Sequence, residues 1–108
     1  MDEQKSIVDL CPAPRVIEMI GGKWKLRILQ ILIFQGTKRF GELRRQVAGI
    51  TQTMLTKQLR ALEDDGLISR KVYAEVPPRV EYSPTNSGMD LMKMFEAMHQ
   101  WWERNQAS

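Results

Sequence analysis

The residues with the clearest chemical potential lie in one short run. Thr51, Gln52, Thr53, Thr56, Lys57 and Arg60 are all hydrogen-bonding or cationic, and the last four fall at i, i+3, i+4 and i+7. That spacing lines them up along one side of a helix. Leu55, Leu59 and Leu62 occupy the other side. Glutamine and arginine match the donors and acceptors on base edges, and threonine suits a thymine methyl or a phosphate. No acidic residue interrupts the stretch from Thr51 to Ala61, whereas Glu63, Asp64 and Asp65 follow directly. An ordinary solvated helix accounts for the leucines and the acidic end. It does not account for an acid-free polar face.

The surrounding charge agrees. The chain has 108 residues, with 16 Lys and Arg against 13 Asp and Glu, a net charge of +3. Residues 38–60 hold Lys38, Arg39, Arg44, Arg45, Lys57 and Arg60 against Glu42 alone, net +5, and residues 61–68 are net −3. Positive charge confined to one window implies an anionic partner.

Several classes are excluded as expectations. With 27% charged and 43% hydrophobic residues the chain reads as a single globular domain, not a disordered one. No apolar run is long enough to span a bilayer, so no membrane partner is expected. Met1-Asp2-Glu3-Gln4 lacks the pattern of a secretory signal. One cysteine cannot close an intrachain disulfide, and a reducing cytoplasm is the expected location. Cys11 and His99, one of each type, offer too little for a zinc site, so no metal or cofactor is expected. No Ser/His/Asp set, phosphate-cradling glycine loop or paired-acid motif points to catalysis.

The elements that must position these residues follow from periodicity. The first ten residues read as an arm. Pro12 and Pro14 open a short helix that ends at Gly21-Gly22. Lys23 to Gln35 forms a second, broadly apolar helix suited to the centre of the core, with Trp24 among its aliphatic residues. A third helix spans about Arg39 to Val47. A fourth starts at Thr51, a good N-cap, and ends at Gly66. Strands are expected at Ile68 to Ala74 and Val80 to Tyr82, with Pro77-Pro78 at the hairpin tip. Thr85 or Asn86 caps a last helix reaching about Asn105.

That last helix carries two apolar stripes. Leu91, Phe95, Met98 and Trp102 form one, and Met94 and Trp101 define an adjoining line through Met98. One stripe suffices to dock a helix on its own domain. The second suggests a partner helix, hence a homodimer; a small domain wrapping both stripes is the alternative.

The fold expected is mainly α with a small β-hairpin: a winged helix-turn-helix with terminal dimerisation helices. Residues 1–108 make one domain, with the helix-turn-helix at about 38–66, the wing at about 68–83 and the terminal helix at about 85–105. Gly21 to Trp24, the run Arg39-Phe40-Gly41-Glu42-Leu43, Leu55-Thr56 with Leu59-Arg60, and Pro78-Arg79-Val80-Glu81-Tyr82 together resemble the HxlR family of bacterial transcriptional regulators. The resemblance covers roughly Cys11 to Trp102 and extends in architecture to the MarR group. It implies a dimeric regulator, by default a repressor, on palindromic double-stranded operator DNA. The fourth helix would enter a major groove and the wing a flanking minor groove.

In that light Thr51, Gln52, Thr53, Thr56 and Lys57 are assigned to base edges or nearby phosphates. Arg44, Arg45 and Arg60 are assigned to the DNA backbone, and Arg39 is a further candidate. Arg79 is assigned to the wing contact and Lys71 is a weaker candidate; pairing of Arg79 with Glu81 is the alternative. Some members of the family sense electrophiles or oxidants through an N-terminal cysteine in a Cys-Pro context, which nominates Cys11. The alternative for Cys11 is a small buried hydrophobe. A non-covalent small-molecule effector between the terminal helices, and a winged helix used only for protein–protein contact, are the competing functional readings.

Overall fold

The computed structural model describes residues 10–106 of the chain. Most of the expected N-terminal arm therefore lies outside the described residues. The elements run α1 (Ala13–Ile20), α2 (Lys25–Gln35), β1 (Lys38–Arg39), α3 (Phe40–Gln46), α4 (Gln52–Asp64), β2 (Ile68–Tyr73), β3 (Arg79–Pro84), α5 (Asn86–Met89) and α6 (Met92–Gln106). Among the described residues no helix is long and apolar enough to cross a membrane.

Helix α2 is the hub. Ile28, Leu29, Ile31, Leu32 and Ile33 are all buried, a spread around the helix that only neighbours on several sides can cover. Leu43 and Val47 of the α3 segment, Leu55, Leu59 and Leu62 of α4, and Phe95 of α6 complete the same core. Trp24 packs against it partly buried, with Lys23 Nζ 4.6 Å from its ring centroid.

The strands form one antiparallel sheet in the order β1-β3-β2. Arg70 stands opposite Tyr82, Lys71 opposite Glu81, and Lys38 opposite Tyr82. The two-residue β1 is absent from the sequence expectation. So short a strand has no periodicity of its own, and it exists because β3 offers it a free edge. The Thr37 and Ser83 hydroxyls, 2.7 Å apart, bind its approach to that edge.

Two local devices set the angle between α4 and the hairpin. Gly66 has φ 74°, the left-handed conformation that glycine adopts without strain, and the Leu67 amide reaches back to the Leu62 carbonyl at 3.0 Å. Leu67 and Ile68 then turn into the core. The Thr85 hydroxyl donates to the Gly66 carbonyl at 2.6 Å and accepts from the Gly88 amide at 3.0 Å. One side chain thus ties the end of α4, the end of the wing and the start of α5 together.

The single terminal helix expected from about 85 to 105 is broken. Thr85 caps a short α5, and the chain restarts as α6 at Met92. Gly88 explains the position of the short piece, because a Cβ there would collide with the Leu67 carbonyl oxygen.

Candidate nucleic-acid interface

The Thr51 hydroxyl accepts a hydrogen bond from the Met54 amide at 3.1 Å and starts α4. This N-cap places Leu55, Leu59 and Leu62 inward. Gln52, Thr53, Lys57 and Arg60 are consequently exposed, with Thr56 half-buried beside them. Together with Ala61 and, at the C-terminal end, the carboxylate of Asp64, they line an open surface groove of about 610 Å³ on the outer side of α4. Thr56 donates to the Gln52 carbonyl at 2.9 Å, which engages its hydroxyl proton within the helix. Its remaining lone pair and methyl are what it can offer a ligand.

Arg44 and Arg45 are exposed in the last turn of α3, and Arg39 is exposed at its N-cap. The Arg39 amide donates to Glu42 Oε1 at 2.9 Å. That bond is the main reason the Glu42 carboxyl sits below its ordinary value of 4.5; desolvation opposes it, and the charges of Lys38, Arg39 and Arg45 reinforce it. The lone acid in the basic window is thereby committed to the start of α3.

Arg79 occupies a different environment from these cations. Its guanidinium lies 4.0 Å over the Tyr73 ring, with Nη2 3.5 Å from Glu75 and Nε 3.5 Å from Glu81. Nε is buried and close to the Glu81 carboxylate, but it is not aligned as a hydrogen bond. Two carboxylates compensate this charge, so Arg79 is held inside the wing and is not displayed as a free cation. The pairing with Glu81 is present, and Glu75 adds to it. Lys71 is exposed, 4.8 Å from the Tyr73 ring. The tip beyond them is apolar, with Val76 fully exposed beside Pro77 and Pro78.

A second cleft, about 390 Å³, separates α4 from the wing. Phe40, Leu59 and Val80 line it together with Arg60, Glu63, Arg70 and Tyr82. Arg70 is absent from the sequence-based assignment. The period-two alternation of β2 was the available signal, since Ile68 points inward and Arg70 shares its face.

The apolar residues of the terminal helix divide. Phe95 is 5% exposed and meets Phe34 edge to face, with ring centroids 6.4 Å apart. It belongs to its own chain's core, which corrects its grouping with the exposed interface residues. Leu91 and Met94 are half-buried against the same core. Met98, Trp101 and Trp102 are 46%, 57% and 56% exposed. Cys11, ahead of α1, is a free, exposed thiol and not a buried hydrophobe.

This arrangement recurs in known proteins. Residues 19–108 match the family model for HxlR-like helix-turn-helix proteins. The chain belongs to the HxlR-like helix-turn-helix family.

Relatives support this HxlR-like assignment over almost the full chain. The HTH-type transcriptional regulator YybR of Bacillus subtilis is 47% identical, covering 97% of this chain and 86% of YybR. The redox regulator HypR in its reduced form superposes with a TM-score of 0.82 at 46% identity, covering 90% of this chain and 95% of HypR. The reduced form of the transcriptional regulator YodB from B. subtilis gives 0.80 at 31% identity, covering 89% and 94%. This HxlR-like chain is therefore a winged-helix transcriptional regulator of the helix-turn-helix type and not an enzyme.

Proposed function

We propose that the chain is a homodimeric, sequence-specific DNA-binding repressor of a palindromic operator. The observation that carries this reading is the outer side of α4. Gln52, Thr53, Lys57 and Arg60 are exposed there together, with no carboxylate before Glu63. A helix locked to its core by three leucines can enter a major groove with such a face. Arg39, Arg44 and Arg45 serve the phosphates beside it, and their positions on α3 are compatible with orienting the head on a duplex. Arg79 acts through the shape of the wing.

Selection of bound duplexes from random DNA tests this reading. The expected result is an inverted repeat whose half-site centres lie about one helical turn, or a multiple, apart. Recovery of no enriched sequence overturns it in favour of a protein–protein module.

Cys11 is the input this reading assigns, because the thiol is exposed and HypR, to which the chain is similar, is a redox regulator. Conjugate addition of the Cys11 thiol to a quinone ring carbon breaks S–H and the ring C=C π bond and forms C–S. The thiol proton goes to one quinone oxygen and the ring C–H proton at the attacked carbon to the other, giving a thio-substituted hydroquinone. The check is operator affinity before and after benzoquinone treatment, in wild type and Cys11→Ser. Loss of affinity in the wild type alone supports the sensor, and an unchanged wild type removes it.

A further inference from the structure

We infer that Arg60, Arg70 and the Tyr82 hydroxyl form a seat for one phosphate of the DNA backbone, in the cleft between α4 and the wing. The inference rests on the DNA-binding reading and adds to it a site that includes two residues, Arg70 and Tyr82, outside the face already assigned.

Groove geometry requires something at this place. A duplex with α4 in its major groove and the wing in the adjacent minor groove must carry a sugar-phosphate strand between them, because that strand is what separates the two grooves. The cleft of about 390 Å³ lies between those same two elements.

Its chemistry suits a phosphate oxygen. Arg60 and Arg70 both line it, are both exposed, and form none of the ion pairs found among the described residues. Arg79, by contrast, is compensated twice over. Arg70 and Tyr82 are direct cross-strand partners, so both side chains project from the same face of the sheet. Tyr82 is only 8% exposed, yet its hydroxyl makes none of the side-chain hydrogen bonds found among the described residues. Tyr82 lines the cleft, and its hydroxyl is not among the fully buried, unpartnered side-chain polar atoms of the described residues, so it retains some solvent contact. A largely buried tyrosine with an unengaged hydroxyl lines the same cleft as two unpaired guanidinium groups, and such a donor set suits an oxyanion. Glu63 also lines the cleft. The seat keeps a net positive charge with it, and Glu63 sits toward the C-terminal end of α4, away from Gln52 and Thr56.

The test measures affinity for a 24-base-pair duplex of fixed arbitrary sequence across a salt series, for wild type, Arg70→Gln, Arg70→Lys and Tyr82→Phe. Each lost phosphate contact reduces the slope of log K against log salt by about 0.9 per bound protomer. The expected result is that reduction in Arg70→Gln, retention of the slope in Arg70→Lys, and a several-fold weaker Tyr82→Phe with an unchanged slope. Circular dichroism melting of each variant separates these effects from misfolding. Wild-type slope and affinity in Arg70→Gln overturn the seat while leaving the DNA-binding reading intact; a wild type that binds no duplex overturns that reading first. A parallel arm titrates inorganic phosphate at constant ionic strength. Saturable phosphate binding abolished in Arg70→Gln, without any change in its duplex slope, assigns the cleft to a free anion and overturns the backbone seat.

Discussion

Arg79 and Glu81 stand two residues apart on β3, with Nε 3.5 Å from Oε2, and the same guanidinium covers the Tyr73 ring at 4.0 Å. Adding Glu75 at 3.5 Å, the arginine clamps both sides of the hairpin next to its proline tip. Arg79→Ala should destabilise the chain by about 1–2 kcal/mol, the sum expected of a half-exposed ion-pair set and a cation–π contact. It should leave the salt slope of duplex binding at the wild-type value. Urea unfolding and salt-dependent binding check the two halves. A slope reduced by about 0.9 per protomer would show that Arg79 leaves its clamp and holds a phosphate.

Thr51 has a role in the helix independent of any ligand. Its hydroxyl holds the Met54 amide at 3.1 Å. Thr51→Ala should cost about 1 kcal/mol of stability, while Thr51→Ser keeps the cap and most of the stability. The urea midpoints of the two variants decide the matter. Equal midpoints for Ala and Ser would remove the capping role and leave Thr51 to ligand contact alone.

Glu42 carries a pH dependence of known sign. Its carboxyl is held below 4.5 in the folded chain, chiefly by the Arg39 amide. A depressed folded value means that the ionised form is the stabilising one. The contribution is therefore fully present above 4.5 and disappears as pH falls through the lower folded value. The gap in urea midpoint between wild type and Glu42→Ala should be constant from pH 7 to about 5.5 and narrow below the ordinary carboxylate range. A gap that widens on acidification contradicts this assignment.

Much of the head was legible in the sequence because its determinants are local. Thr51 and Gly66 bracket α4, and its leucine spacing orients Gln52, Lys57 and Arg60 outward without reference to any other element. What escaped depends on distant partners. The β1 strand exists only through β3, and the close seating of α5 depends on Gly88 leaving room for the distant Leu67 carbonyl. Phe95 illustrates a third limit: a helical apolar stripe shows that a face is buried, not whether its own core or a second chain buries it. The Arg79 environment was half legible, since Glu81 is near in sequence but Tyr73 and Glu75 approach across the hairpin.

The division of α6 leads to a prediction that separates folding from assembly. Phe95 is buried in the core, with the half-exposed Phe34 ring edge to face over it, whereas Trp101 and Trp102 are more than half exposed on the same helix. Phe95→Ala should cost about 3–5 kcal/mol, since it opens a cavity among residues that cannot collapse fully. Trp101→Ala should change the stability of the isolated chain by no more than about 0.5 kcal/mol. If a second chain covers this face, a buried tryptophan there is worth about 2 kcal/mol or more, and the dimer dissociation constant should rise by more than tenfold. Sedimentation equilibrium measures the dissociation constant. Urea unfolding at a concentration below it measures the chain alone, because assembly otherwise adds to apparent stability. A Trp101→Ala chain that dimerises as the wild type does would remove Trp101 from the interface. Were it instead as unstable as Phe95→Ala at low concentration, the second stripe would belong to the chain's own core.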